Sequence, residues 1–467
     1  MDRITLGFVP TRRSVFSAPD AIKYRGLTVD RLRELGVDVV DIDDINSEGL
    51  LFDDSHIQPI IDKFTAVGVD GIMLCHANFG TEYLCARLAR ELGKPVLLWG
   101  PRDERPEPDG ARLRDSQCGL FATGKVLRRF QVPFTYLTNC RLSDSEFERG
   151  VRDFLAVCNV VRTFSHLRIL QISTRPFDFW STMCNEGELL ERFGIQLAPI
   201  PMTELVQEVR AARGDVAALG AMLEQVRASF EICVPDDTVE AVAALAIAMK
   251  RLVESYGCRA GAIQCWNALQ AELGIMPCAA NAILNEMGIP IVCETDIHGA
   301  ITALLVEAAD LGRHRGMFAD WTVRHPDNEN GELLQHCGPW PCSVAREQPR
   351  LTYPLAFDHP GALTAEAKHG DLTLARFDGD NGSYSLLLGR ARAIDGPVGM
   401  GTYLLWVEVD NLKRLEAKLV EGPYIHHCVA IHADVVPVLY EACKYLGIAA
   451  DLYDPIEEEV RAYLRGE

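Results

Sequence analysis

A chain of 467 residues, 48% apolar and 24% charged, is long enough for two to four domains with cores of their own. Its formal charge of −20 argues against nucleic acid and anionic membranes as partners, and no apolar run approaches the ~18 residues of a membrane-spanning helix. Fifteen cysteines without a CxxC pair, behind an N-terminus lacking a secretion signal, fit reduced thiols in the cytoplasm rather than a disulfide framework or a zinc knuckle.

From the N-terminus, Ile4 to Val9 reads as a buried strand, followed by a helix over Ala21 to Leu35 and a strand over Val37 to Ile42. The pattern continues with a helix at Ile57 to Val67, a strand at Gly71 to Cys75, a helix at Glu82 to Leu92 and a strand at Pro95 to Trp99. Strand–helix alternation predicts a parallel, doubly wound sheet. Its strand ends carry TRR (Thr11 to Arg13), HANFG (His76 to Gly80) and WGPRDE (Trp99 to Glu104), polar and aromatic loops where such sheets hold ligands. Gly119 to Lys125, GLFATGK, imitates a phosphate-binding loop, but Val126 stands where Ser or Thr would hold magnesium and no clear strand precedes it.

A second α/β domain begins near Ser165, with strands at Leu167 to Ile172 and Ile195 to Ile200 and long helical patterns over Thr203 to Ser229 and Val239 to Tyr256. The stretch Ala262 to Ala300 organises it. A short apolar run ends in Gln264, a helix from Trp266 to Leu273 carries Glu272, and a second run, Ile289 to Cys293, delivers Glu294 and Asp296. Carboxylates just past buried parallel strands suit metal binding or proton transfer; capping the helix that begins near Gly299 is the alternative for Glu294 and Asp296. Ala300 to Leu311 reads as a buried helix, Asp320 to Asn330 as a polar loop, and HCGPWPCS (His336 to Ser343) as an irregular segment. Beyond it, Leu372 to Phe377, Ser383 to Leu388 and Tyr403 to Val409 alternate around turns such as DGDNG (Asp378 to Gly382), the pattern of an antiparallel barrel or sandwich. That region holds GPYIHHCVAIH (Gly422 to His432), where strand alternation sends His426 and His427 to opposite faces. A helix at Val435 to Leu446, a strand at Ala449 to Leu452 and a terminal helix complete the chain.

Glu272, Asp296 followed by a small-residue helix, and HH-x-V-x-x-H near the C-terminus together resemble the L-fucose/L-arabinose isomerase superfamily. The spacing of 24 between Glu272 and Asp296 is similar to that of the catalytic carboxylates of L-fucose isomerases, and His427 resembles their metal-binding histidine. Asn185 to Ile195 is similar to a segment of arabinose isomerases, and HCGPWP resembles the place where those enzymes supply a second histidine, here His336. Glu294 replaces Glu272 if the alignment by spacing is off. The resemblance implies two Rossmann-like doubly wound α/β domains (1–164 and 165–345) followed by a C-terminal antiparallel β-barrel-like domain (346–467).

It further implies a Mn²⁺-dependent aldose–ketose isomerase, with Mg²⁺ or Co²⁺ as substitutes, working through a cis-enediol. Glu272 and Asp296 would be catalytic; Glu272, Asp296, His427 and His336 would hold the metal; Arg12, Arg13, Asn78, Gln264 and Trp266 would meet the sugar. A homo-oligomer, trimer or hexamer, in which a neighbour's first domain completes the site would give the Arg12, Arg13 and Asn78 loops a purpose. A pentose, a 6-deoxyhexose or a C6-modified hexose such as sulfoquinovose suits this chemistry. Two other readings compete: a hinged sugar-binding or regulatory protein, and a metal-dependent sugar hydrolase or lyase.

Overall fold

The structure is a computed structural model that describes residues 3–354, 358–397 and 402–467. It divides into two compact units, residues 1–162 with 458–467, and residues 163–457.

The first unit is a five-stranded parallel sheet built from β1 (Thr5–Thr11), β2 (Asp38–Val40), β3 (Gly71–His76), β4 (Val96–Trp99) and β5 (Thr135–Tyr136), in the order β2-β1-β3-β4-β5. Its central strands β1, β3 and β4 are largely apolar because both faces are covered. Val9, Ile72, Leu74 and Leu98 pack into one layer, and Leu6, Phe8, Met73, Leu97 and Trp99 into the other. The amphipathic helices Ile57–Val67 and Glu82–Leu92 each stop at a left-handed glycine, Gly68 and Gly93, which closes the last turn without a Cβ penalty. The phosphate-loop lookalike lies inside the helix Ser116–Arg129, as its lack of a preceding strand implies.

The second unit starts with a four-stranded parallel sheet, β6 (Arg168–Ile172), β7 (Gln196–Ile200), β9 (Ala260–Ile263) and β10 (Ile291–Val292), ordered β10-β9-β6-β7. The short β8 (Glu231–Ile232) joins instead the larger sheet that follows. That sheet comprises β11 (Met317–Arg324), β12 (Gly331–His336), β13 (Arg350–Thr352), β14 (Ala362–Glu366), β15 (Asp371–Asp380), β16 (Ser383–Ala393), β17 (Tyr403–Glu408), β18 (His427–Ile431) and β19 (Ala449–Asp454). Six of its strands close on themselves in the order β16-β15-β18-β11-β12-β17, with β17 pairing back to β16, giving an antiparallel barrel. Two parallel α/β sheets and a barrel are therefore the architecture.

The expected boundaries shift. Barrel strands begin at Met317, ahead of residue 346, because 320–330 is not wholly a loop: β11 runs through Arg324. One continuous core, from Leu170 and Val242 to Ala319, Leu405 and Tyr424, joins the second sheet to the barrel. Residues 458–467 belong to the first unit, where the Tyr463 hydroxyl donates to Asp153 at 3.2 Å. Among the described residues no helix is long and apolar enough to cross a membrane.

The helix Ile297–Ala309 is buried along its whole length between sheet and barrel, and it carries Glu307 into the core. Burial pushes the Glu307 carboxyl up to about 7, against the Gly316 N–H it accepts at 3.0 Å and the Arg315 guanidinium at 3.3 Å. A carboxyl whose folded pKa lies above its unfolded value makes the folded state bind more protons, so stability falls as pH rises from 4.5 through 7. Glu307→Gln should remove that slope, leaving stability near the parent's at pH 5 and above it by on the order of 2 kcal/mol at pH 8 in denaturant melts.

Candidate functional site

At the carboxyl edge of the second sheet, β9 delivers Gln264 and the neighbouring β10 delivers Glu294. Glu294 and Thr295 both adopt left-handed backbone, with φ of 62° and 55°, a conformation that costs non-glycine residues and holds only where the surroundings enforce it. Here the Thr295 N–H donates to Ile263 at 3.1 Å, its hydroxyl meets the Thr174 carbonyl, and the Thr182 hydroxyl donates to the Glu294 carbonyl, each at 3.3 Å. The turn thus drives the Glu294 side chain inward, where the residue is 6% exposed.

The barrel supplies the opposite wall. Asp320 on β11 stands directly across from His427 on β18, so their side chains share a face, and His336 ends β12 beside them. His427 Nε2 lies 2.9 Å from Glu294 Oε2 and 3.3 Å from Asp320 Oδ1, and His336 Nε2 lies 4.0 Å from the same Asp320 oxygen. All four atoms are buried, and none has a hydrogen-bond partner of acceptable geometry among the described residues. Orphaned buried donors and acceptors are costly singly, and four converging on one point call for an occupant. Ligand atoms of Asp320, His336 and His427, and of Glu294, His426 and His427, lie within 4.8 Å of one another, so a divalent cation fits.

The two imidazoles are set differently. His427 Nδ1 lies 2.8 Å from Asp296 Oδ2, an acceptor-only carboxylate, so Nδ1 carries a proton and Nε2 faces the cluster. His336 Nδ1 accepts the Cys337 N–H at 3.0 Å, which leaves the proton on Nε2, facing Asp320. Burial alone would depress the His427 imidazole, but Asp296 and Glu294 outweigh it and hold it at about 9. The pocket therefore favours a positive charge at this position. Burial pushes Asp320 up, against the pull of the two histidines.

Asp296 is not at the centre. It caps the helix Ile297–Ala309, accepting the Gly299 N–H at 2.9 Å, and both its oxygens are engaged by His427 and Arg376. Burial opposes its charge, yet Arg376 and His427 hold the carboxyl well below the usual range. Glu272 is exposed at the end of the helix Ala268–Leu273, and the structure does not bring it to the cluster; Glu294 occupies the place expected of it. Gln264 accepts the Ser173 hydroxyl at 2.8 Å at the sheet edge, and half-buried Trp266 meets the Phe179 ring edge-on at 5.2 Å between centroids. His426 borders a cavity of about 470 Å³ whose wall includes Trp321, Glu332, Leu415 and Tyr424.

The remaining expected sugar contacts belong to the first unit. Arg12 is committed to Glu48, with Nε and Nη2 at 2.5 and 2.8 Å, and its guanidinium lies over Phe52. Arg13 stacks over Phe79 and approaches Glu82 at 3.9 Å. Asn78 is buried and ties the loop, accepting the N–H groups of Arg13 and Gly80. Asp320, absent from the expected set, carries a signal in its sequence: AlaAspTrpThrVal alternates apolar and polar at period two, the pattern of a half-buried strand.

Within the second unit, a parallel α/β sheet and a closed barrel hold buried acids and imidazoles around a single point, the arrangement of an α/β enzyme site. Residues 7–165 match the model of the fucose/sulfoquinovose isomerase N-terminal domain. The chain is thus similar, in its N-terminal third, to the fucose isomerase-like superfamily of sugar isomerases. It is 24% identical over 461 residues to a protein named sulfoquinovose isomerase from Priestia aryabhattai, covering 97% of this chain and 100% of that one. It is similar as well to a protein of that name from Clostridium sp. (strain MSTE9), at 25% identity over 82% of this chain and 86% of the relative. A periplasmic solute binding protein from Actinobacillus succinogenes with bound D-allose aligns at 12% identity over 66% of this chain and 92% of its own, but the TM-score of 0.16 carries no argument.

A ligand that binds only the folded state raises its melting temperature. Saturating Mn²⁺ should raise the melting temperature of the parent and of Glu272→Gln by several degrees, and leave Glu294→Gln and Asp320→Asn nearly unmoved. A Glu272→Gln protein blind to the ion, beside a responsive Glu294→Gln, would reverse the assignment.

Proposed function

We propose that this chain is a divalent-metal-dependent aldose–ketose isomerase acting on an open-chain sugar through a cis-enediol, with a C6-modified aldose of the sulfoquinovose type as substrate. The observation that carries it is the convergence of Glu294 Oε2, Asp320 Oδ1 and His427 Nε2, three buried atoms without a hydrogen bond of acceptable geometry among the described residues, in a chain similar to sugar isomerases. The substrate class follows the relatives' names, which attach to proteins matched along nearly the whole chain.

Glu294, Asp320 and His427 would hold a manganese-class ion, with Mg²⁺ or Co²⁺ as substitutes. When bound, such an ion polarises a carbonyl and stabilises negative charge developing on the adjacent oxygens. Glu294 reaches the site from the sheet and Asp320 from the barrel, so a sugar between them presents C1 and C2 to both carboxylates. One carboxylate takes the proton from C2 and returns it at C1 while the other passes the hydroxyl proton of O2 to O1, so the roles expected of Glu272 and Asp296 pass to Glu294 and Asp320. His336, with its proton on Nε2, donates a hydrogen bond to a substrate oxygen instead of ligating. Gln264 and Trp266 would bind hydroxyls and wall the sugar, and the cavity beside His426 offers room for its distal carbons. A trimer or hexamer in which a neighbour's first unit brings Arg13 and the Asn78 loop to the site belongs to the same proposal.

The test is an aldose panel incubated in D₂O with EDTA-treated protein, with and without Mn²⁺, and read by proton NMR. Ketose should form only with the ion, and deuterium should enter C2 or C1. Release of a fragment would mean a hydrolase or lyase, and sugar binding undiminished by chelation without turnover would mean a receptor. Ketose without deuterium would mean a hydride shift. Glu294→Gln and Asp320→Asn should each lower kcat by ~10²–10⁴-fold.

A further inference from the structure

Behind His427, five buried side chains touch in series: His427, Asp296, Arg376, Asp378 and His298, none more than 6% exposed. His427 Nδ1 meets Asp296 Oδ2 at 2.8 Å. Arg376 grips the same carboxylate with both terminal nitrogens, Nη1 on Oδ2 and Nη2 on Oδ1, the latter at 3.1 Å. Its other edge serves Asp378, with Nε at 2.8 Å and Nη2 at 2.7 Å from Oδ2. Asp378 Oδ1 in turn lies 2.8 Å from His298 Nδ1 and accepts the Gly379 N–H at 2.9 Å. Arg376 and Asp378 are two apart on β15 and so share a face of the barrel strand. Among the described residues Arg376 makes no hydrogen bond or ion pair with Glu294, Asp320 or His336.

We propose that Arg376 is a positioning residue for the metal site, aiming His427 through Asp296 without touching ion or sugar. The proposal rests on the metal-dependent reading above. Two features of the geometry lead to it. The Gly299 N–H holds Asp296 by Oδ1 and the His427 imidazole meets it at Oδ2, one contact on each oxygen. Arg376 adds a fork that holds both oxygens at once, so the acceptor for His427 Nδ1 stays in one place. The guanidinium is itself prevented from swinging because Asp378 holds its opposite edge, and Asp378 is fixed by His298 and the Gly379 amide. A buried ion-pair chain of this kind is a poor source of stability, since desolvation offsets much of its Coulomb attraction. What it supplies is direction: Nε2 of His427 points where Glu294 and Asp320 point. Only arginine's planar fork can span the two carboxylates; a lysine ammonium reaches one of them at a time.

The experiment titrates Mn²⁺ into the metal-free full chain by electron paramagnetic resonance, over a range wide enough for the weakest variant to saturate. Four proteins are compared: the parent, Arg376→Lys, His427→Gln and the double variant. Arg376→Lys should weaken Mn²⁺ binding about 10–100-fold, the range expected when a partner that orients a ligand is lost. In the His427→Gln background the same substitution should cost less than about threefold, because the side chain it aims is gone. A general structural role would cost the same in both backgrounds, and that result overturns the proposal, as does unchanged affinity in Arg376→Lys. A parent that binds no Mn²⁺ overturns the metal reading itself, a different outcome from a binding parent whose variants do not differ. Should Arg376→Lys fail to fold by circular dichroism, Arg376→Met with Asp378→Asn, which removes one charge of each sign, takes its place under the same criteria.

Discussion

His427 turns Nε2 toward the centre of the site because Asp296 takes the proton on the other side of its ring. That single hydrogen bond ties together parts of the chain that are far apart in sequence. Asp296 is held by the first turn of a helix that starts at the sheet edge, and His427 by a barrel strand that begins 131 residues later. For the bond to form, the sheet's carboxyl edge and the barrel wall must meet, and the buried helix Ile297–Ala309 is the element packed between them. The continuous core from Leu170 to Tyr424 joins sheet and barrel, so Asp320, His336 and His427 stand on packed strands and the Glu294 turn is anchored between a strand and a buried helix.

Electrostatics follows from the same arrangement. Asp296 and Glu294 bring carboxylates into the interior and Asp320 turns a buried oxygen to the same place, and burial resists the charge of Asp296 and of Asp320. Arg376 answers Asp296 from behind, while Glu294 and Asp320 in front face the imidazoles of His427, His336 and His426. The imbalance is local and directional, with those two carboxylates on the side where an ion and a sugar would enter. The strained pair Glu294 and Thr295 belongs to the same economy of design, because a relaxed turn after β10 would leave the carboxylate facing elsewhere.

Much of the architecture is legible in the chain. Ile57–Val67 and Glu82–Leu92 announce themselves by helical periodicity closed by glycine, and the apolar runs of β1, β3 and β4 by their burial on both faces. The alternation expected of His426 and His427 does not apply, because β18 begins at His427; His426 lies just before it, exposed, with its ring 4.2 Å from that of His427. The place of Glu272 was not legible, because a spacing of 24 counts residues and says nothing of the left-handed stop at Gly274 that ends its helix in solvent. Asp320 hid in a segment so rich in Asp, Arg, His and Asn that it reads as loop, although its strand is fixed by pairing with β12 and β18. Arg376 lies 80 residues from Asp296, and long-range ion pairs between a barrel strand and a helix cap leave no local periodicity to find.

The most direct measurement is anomalous X-ray scattering at the manganese edge from crystals of the chain grown with Mn²⁺. One peak should stand within bonding distance of Glu294, Asp320 and His427, with Asp296 behind the imidazole and Glu272 remote from the ion. A peak ligated by Glu272, or by Asp296 in place of Asp320, would contradict the account.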